Sequence, residues 1–355
     1  MLQYSGKRRQ TTSFTIGGVG IGSDYPVSIQ SMTNTDTRDA QATLTQIGQL
    51  AEAGCQMVRV AVPDEEAASA LKIICAESPV PVIADIHFNH RLALMAMDNG
   101  ISSLRINPGN IGSEEKVREV VSQAKAMQIP IRIGVNAGSL EKNLLAKYQH
   151  PTAEALVESA LRHVRILEDL NFDQIKISLK ASDVPLMIAA YRLMAEQVPY
   201  PLHLGVTEAG NAKHGIVKSA IGIGTLLAEG IGDTIRVSLT GNPLQEIPVA
   251  KQILRSLDLY PKGVEIISCP TCGRTQIALE QLVDAVDQMV SKVDKPLKLA
   301  VMGCVVNGPG EAREADLGIA GGKGEGLIFR KGEIIKKVPE EQLLSAFQEE
   351  LDKLL

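Results

Sequence analysis

Val80-Pro-Val-Ile-Ala-Asp-Ile-His87 is a short β-rich run that ends in a carboxylate and an imidazole, and Ser102-Ser-Leu-Arg-Ile-Asn107 is a second that ends in a guanidinium and an amide. Between them His90 opens an amphipathic stretch with helical spacing. Strand, helix, strand is the repeating unit of a parallel sheet, because parallel neighbours need a crossover long enough to hold a helix. The same rhythm extends in both directions. Strands are expected at Val27 to Met32 and Gln56 to Val62 before these runs, and at Ile129 to Asn136, Asp173 to Lys180, Pro201 to Glu208 and Asp233 to Leu239 after them. Each is followed by a helical segment, for example Thr152 to Leu170 and Asp183 to Gln197. Eight such units in about 250 residues favour a closed (β/α)8 barrel of the TIM type over an open doubly wound sheet.

The carboxyl ends of the expected strands carry the polar residues. In chain order they present Arg59, Asp85 with His87, Arg105 with Asn107, Arg132 with Asn136, Lys176 with Lys180, Thr207 with Glu208, and Arg236 with Ser238. A barrel gathers these ends on the face where its active site belongs. So many cations on one rim repel each other unless an anion neutralises them, and Arg forks match phosphate oxygens. A phosphorylated small molecule is the expected ligand. Any single Arg is as readily explained by a salt bridge to a loop carboxylate, but repetition at equivalent strand positions is not. His87 and His90 form H-x-x-H, which is discounted as a metal pair because one ends a strand and the other begins a helix.

Composition sets limits. The chain has 355 residues, 45% hydrophobic and 22% charged, enough for one large core and a smaller one. A net charge of −5 offers no global field to attract nucleic acid or an anionic membrane. Only 3% of residues are aromatic and there is no Trp, which argues against a stacking platform for bases. No run has the apolar length to span a bilayer and the first residues lack a signal-peptide core, so a cytoplasmic protein with reduced thiols is expected. Ile16-Gly-Gly-Val-Gly-Ile-Gly22 offers no G-x-G-x-x-G register and leads into a turn. It reads as a glycine-rich hairpin rather than a dinucleotide site.

After a last barrel helix ending near Leu257, Asp258-Leu-Tyr-Pro-Lys-Gly263 reads as a linker, which divides the chain into a barrel at 1–257 and an α+β domain at 258–355. The second domain is expected to run strand (Val264 to Ser268), helix (Thr275 to Ser291), strand (Leu297 to Val306), short strands in Asp316 to Ile319 and Gly326 to Lys337, and a closing helix from Pro339 to Leu355. It holds Cys269-Pro-Thr-Cys272 and, after an apolar run, Cys304 in Gly303-Cys-Val-Val-Asn-Gly-Pro-Gly-Glu311. Three thiolates leave a fourth ligand position open. Zinc, a 4Fe-4S cluster with one exposed iron, and a redox-active C-x-x-C with an unrelated third thiol all fit this spacing. Glu311 is the nearest candidate for the fourth ligand. Cys55 and Cys75 stand alone on expected elements and read as inert buried thiols.

With both domains in view the chain resembles the 4-hydroxy-3-methylbut-2-enyl diphosphate synthase family in its compact bacterial form. The likeness spans almost the full length. It rests on Ser31-Met-Thr-Asn34, Ala84-Asp-Ile-His87, Leu104-Arg-Ile-Asn-Pro-Gly109, Arg132-Ile-Gly-Val-Asn136, Ser178-Leu-Lys180, Gly205-Val-Thr-Glu208, Ser268-Cys-Pro-Thr-Cys272 and the Gly303 to Glu311 segment. The resemblance implies a two-electron reductive ring opening of 2-C-methyl-D-erythritol 2,4-cyclodiphosphate, with loss of water. It implies a 4Fe-4S cluster on Cys269, Cys272, Cys304 and Glu311. It also implies a diphosphate pocket formed by Arg59, His87, Arg105, Asn107, Arg132, Asn136, Lys180, Arg236 and Ser238, with Thr207 and Glu208 near the reacting carbons. Lys176 has no clear counterpart.

Glu208 is the expected proton donor, and Glu311 the labile ligand at an open iron. No flavin or nicotinamide fingerprint appears, so ferredoxin or flavodoxin is expected to supply electrons. Two readings compete: a zinc-stabilised barrel transferase or lyase, and a non-catalytic electron-transfer module that leaves the cationic rim unexplained. A radical S-adenosylmethionine enzyme lacks its C-x-x-x-C-x-x-C triplet here. In a barrel each helix runs antiparallel to its strand, so the chain leaves for the second domain on the face opposite the active site. A linker of about six residues spans roughly 20 Å at most. A homodimer with active sites shared between chains is therefore expected, and the family's assembly implies the same.

Overall fold

The computed structural model describes residues 7–260, 262–275, 277–304 and 312–355. It divides into two compact units, Met1–Tyr260 and Pro261–Leu355. The division falls at Tyr260 rather than Leu257 because Leu257, Leu259 and Tyr260 still pack on the first core.

The first unit opens with an antiparallel hairpin of β1 (Phe14–Ile16) and β2 (Val19–Ile21) around Gly17 and Gly18, both at positive φ. Eight parallel strands follow: β3 (Ser28–Met32), β4 (Met57–Ala61), β5 (Val82–Asp85), β6 (Ser103–Ile106), β7 (Ile131–Asn136), β8 (Ile175–Lys180), β9 (His203–Leu204) and β10 (Thr234–Ile235). They are hydrogen-bonded in the order β8-β7-β6-β5-β4-β3-β10-β9. A parallel bridge from Ile177 to Leu202 joins the two ends of that order, so the ring closes. The last two strands are shorter than the residue pattern suggests. Beyond Leu204 the chain enters Gly205 and a left-handed Glu208 at φ 50°, which takes it out of the ladder.

Helices occupy the crossovers, and many start on a residue whose side chain accepts a backbone N–H. Thr152 caps Ala153–Asp169 and Asp183 caps Val184–Gln197, each such cap contributing about 1 kcal/mol. Alternation along the strands decides what each face meets. Val58, Val60, Val82, Ala84, Leu104, Ile106, Ile131, Ile133, Ile175 and Ile177 point outward and form one continuous core with the helices. The intervening positions point inward, and there the barrel is polar: Ser28, Gln30, Ser103, Arg105, Arg132, Lys176, Ser178, His203 and Thr234 are all buried. Only the floor is apolar. Ile16 and Ile21 of the hairpin meet Met57 and Ile83 there, and Gly17 lies so close to Pro81 that a Cβ would stand 2.7 Å from its ring.

In the second unit β11 (Val264–Ser268), β12 (Leu297–Met302) and β13 (Leu317–Gly321) are parallel neighbours, extended by an antiparallel hairpin of β14 (Glu325–Arg330) and β15 (Glu333–Pro339). Helices Leu279–Val290 and Leu343–Asp352 pack on one face through Val286, Val290 and Phe347. Ala312, Ala315 and Phe329 belong to a smaller cluster with Ala300 and Met302. The closing helix starts later than Pro339, which is instead the last residue of β15, paired with Glu325. An edge strand tolerates a residue with no N–H to donate. β12 ends at Met302, short of the expected Val306; Val305 and Val306 lie outside the described residues, as does Glu311. No described helix is long and apolar enough to cross a membrane.

Candidate active site

The carboxyl ends of the barrel strands surround a cavity of about 90 Å³. Nine of the ten expected binding residues line it: Arg59, His87, Arg105, Arg132, Asn136, Lys180, Thr207, Arg236 and Ser238, with Asp85 and Ser178 beside them. The tenth, Asn107, sits one layer out. Its Oδ1 accepts the N–H of Gly134 at 2.9 Å, which ties the end of β6 to β7.

Asp85 is the hub of the charge array. Arg105 donates to its Oδ1 at 3.1 Å, Arg59 stands 3.5 Å from Oδ2, and His87 Nε2 lies 3.8 Å from Oδ1. Burial alone raises a carboxyl pKa, but the guanidinium groups of Arg59, Arg105 and Arg132 outweigh it and hold Asp85 at about 2. A second carboxylate, Glu246, stands behind the rim and was not foreseen. It is buried, accepts from Ser31 Oγ at 2.9 Å and from the Leu239 N–H at 3.1 Å, and lies 3.4 Å from Arg236 Nη2. Its signal was its place in the first turn of the helix after Asn242-Pro243, which the strand-end pattern does not cover. Met32 also faces the site, its Sδ accepting from Arg59 Nη2 at 2.9 Å.

These two carboxylates do not balance five cations. Burial and the neighbouring positive charges push Lys180 well below its ordinary value, and Arg132 is lowered for the same reasons. Arg132 Nε and Nη1 are buried without a hydrogen-bond partner among the described residues. Unsatisfied donors in a low-dielectric pocket are an anion site awaiting its ligand. Two glycines make room for it. A Cβ on Gly134 would lie 2.6 Å from Arg105 Nε, and one on Gly205 would lie 2.7 Å from Lys180 Nζ.

Glu208 stands exposed at the rim beside Thr207, with its backbone at φ 50°. A non-glycine residue held left-handed stores strain that is common at functional positions. His87 is exposed at the rim, lowered from its usual value by partial desolvation and Arg105, and its ring accepts from Arg105 Nη1 at 3.1 Å. His90 begins helix His90–Asp98, away from His87 in role, with Glu119 at 3.9 Å. Lys176 is fully buried and does not line the cavity.

The thiols behave as two classes. Cys55 donates to the Met57 carbonyl at 3.0 Å and is pushed up to about 11 by burial, while burial pushes Cys75 to about 12. Neither is a thiolate at neutral pH. Cys269 and Cys304 follow the ends of β11 and β12, adjacent parallel strands in which Ser268 pairs with Val301. The Gly303 N–H donates to Cys269 Sγ at 3.2 Å. Cys272 is exposed and lowered, chiefly by hydrogen bonds from the backbone and side chain of Arg274. Among the described residues no three candidate ligands converge closely enough to hold a metal ion.

Residues 11–251 match the GcpE TIM-barrel domain and residues 265–353 match the GcpE protein C-terminal domain. The chain belongs to the GcpE family. Curated GcpE relatives named 4-hydroxy-3-methylbut-2-en-1-yl diphosphate synthase (flavodoxin) cover 98% of it. Those of Geobacter sulfurreducens and Clostridium perfringens are each 61% identical over 348 residues and are matched over 99% of their own length. That of Maridesulfovibrio salexigens is 61% identical over 349 residues, matched over 98% of its length. The GcpE barrel and C-terminal domain thus fall on the two units found here.

Proposed function

We propose that this protein is an oxidoreductase of isoprenoid biosynthesis that converts 2-C-methyl-D-erythritol 2,4-cyclodiphosphate into (E)-4-hydroxy-3-methylbut-2-enyl diphosphate. The observation that carries this reading is the excess of buried, unsatisfied cations at the barrel mouth, in a chain whose full-length relatives bear that product's name. The cyclic dianion takes up two electrons and one proton and leaves as a linear trianion and one molecule of water. A ring C–O bond to phosphate and a C–OH bond both break.

The residues supply what this needs. Arg59, Arg105, Arg132, Lys180 and Arg236 grip the diphosphate, and Gly134 and Gly205 let two of these chains close on it. Asp85 and Glu246 hold the guanidinium groups in place, so binding meets a preformed field. Glu208 holds the proton for the departing hydroxyl at the rim. Cys269, Cys272 and Cys304, with Glu311 as the proposed fourth ligand, suit a 4Fe-4S cluster: one thiol accepts a backbone N–H, one is shifted toward thiolate, and two follow adjacent strand ends. Such a cluster supplies electrons singly and an iron open to an oxygen ligand. Flavodoxin, the carrier in the relatives' name, is the proposed donor, with ferredoxin as the alternative, and the reaction is placed in the cytoplasm.

A shared site between two chains completes the proposal. Tyr260 lies against Gly54, which precedes the amino end of β4, so the first unit ends on the face away from Arg59. Mixing Glu208→Ala with Cys269→Ser and allowing subunit exchange should restore activity, and a dead mixture would mean that each chain completes its own site. The function itself is tested on anaerobically purified protein. Visible iron-sulfur absorption and conversion of the cyclodiphosphate with reduced flavodoxin are expected; a colourless zinc protein without conversion overturns the reading.

A further inference from the structure

Below the diphosphate cavity the barrel interior holds polar groups that the reaction above does not use. Lys176 belongs to the same strand and face as Lys180, about 13 Å deeper along the chain at roughly 3.3 Å per residue. Its Nζ has no hydrogen-bond partner among the described residues. The same is true of both amide atoms of Gln30, of Ser28 Oγ and of His203 Nε2, all on buried inward-facing positions. Native interiors rarely leave such groups dry, so a cluster of this kind calls for a polar guest.

The charged groups around Lys176 come from several strands. Arg132 pairs with it in register on β7, His203 faces it from β9, Asp233 precedes β10, and Arg59 acts from β4. Asp233 is engaged by Arg8 at 2.8 Å and by the Leu202 N–H. The field at Lys176 in the unliganded barrel is therefore dominated by cations.

The geometry points to Lys176 as a second, deeper cation of the substrate site, neutral while the barrel is empty and protonated when the diphosphate binds above it. The inference rests on the function proposed above and adds a proton to the binding step. Burial and Arg132 hold Lys176 at about 7 in the unliganded protein, far below an ordinary lysine. A bound anion neutralises Arg132 and Arg59, and the unpartnered polar atoms of Gln30, Ser28 and His203 offer the ammonium a polar surrounding. Linkage fixes the sign: a group whose pKa rises on binding strengthens binding below the bound-state value, and that gain is lost as pH rises through it. Lys176 is thus a positioning residue for charge rather than one that touches substrate.

Titration calorimetry of the oxidised holoenzyme with the cyclodiphosphate, without reductant and in buffers of different ionisation enthalpy at pH 7.5, reads the proton directly. Lys176 should contribute roughly 0.7 proton per site to the uptake of wild type, since a group at about 7 is mostly neutral there and becomes fully charged, and Lys180, lowered by the same causes, adds its own share. Lys176→Met should lose most of this uptake and bind about 10-fold more weakly, and Lys176→Arg should keep the affinity while losing the uptake, because guanidinium is always charged. Unchanged uptake in Lys176→Arg would assign the proton to Lys180 or His87 and overturn the inference, as would a buffer-independent heat in wild type. Absence of any binding heat in wild type would instead refute the substrate, which separates the two failures.

Discussion

The two candidate sites are built in opposite ways. At the barrel mouth Arg105, Arg132 and Lys180 project buried from hydrogen-bonded strands, and Asp85, Glu246 and the Gly134 carbonyl engage the guanidinium groups before any ligand arrives. The thiols of the second unit lie on loops after strand ends, with Cys272 exposed and no convergent trio among the described residues. A phosphate site can be preformed because its cost is electrostatic and two carboxylates offset part of it. A thiolate site without its ion would gather like charges with nothing to hold them, so its order comes with the metal.

That contrast can be broken by experiment. The largest effect is expected at the thiols: Cys272→Ser should lose iron and fall to background turnover, measured by iron content and product formation, while the barrel unfolds as before. Full iron in that variant would contradict the assigned ligand set. Next, Asp85→Asn should destabilise the barrel by about 3–5 kcal/mol, because it leaves buried guanidinium groups uncompensated. Chemical denaturation reads this, and added cyclodiphosphate should recover part of it.

The wild-type acid profile gives the same group a sign. Asp85 is depressed from 3.8 to about 2, so its contribution is complete above pH 4 and is lost as pH falls from about 4 to 2, roughly 2 kcal/mol in all. Third, Glu208→Gln should keep fold and iron yet lose about 10²-fold in turnover, since shape is preserved while the proton is not. A near-normal rate would move the acid elsewhere. The smallest effect belongs to Cys55→Ala, about 1 kcal/mol of stability from lost packing, with iron and rate unchanged.

The alternation of short apolar runs and helical stretches made the barrel legible, because strands buried on their outer face must be apolar at every second residue. The cations of the mouth were legible for a related reason: they recur at equivalent strand ends, which scattered salt bridges do not explain. Their carboxylate partners were harder to read. Asp85 shares its strand end with His87 and was noted without a role, whereas Glu246 reaches Arg236 only because the single-turn helix Pro243–Gln245 folds the chain back, a tertiary fact with no local pattern. Asn107 shows the converse. Its position matches the binding set, but its side chain is spent on Gly134, since the inward phase at that strand is already taken by Arg105. The short β9 was overread because β-branched composition continues past the point where Gly205 and Glu208 turn the chain.

The apolar hairpin under the barrel has a hydraulic consequence. Ile16 and Ile21, seated on Met57 and Ile83, stopper the polar interior at one end, so what enters or leaves the level of Lys176 does so through the mouth. Water pushed out by an arriving diphosphate must pass the ligand coming in. Exchange through a one-ended vessel is slow, which suits an interior whose buried polar groups lack partners among the described residues.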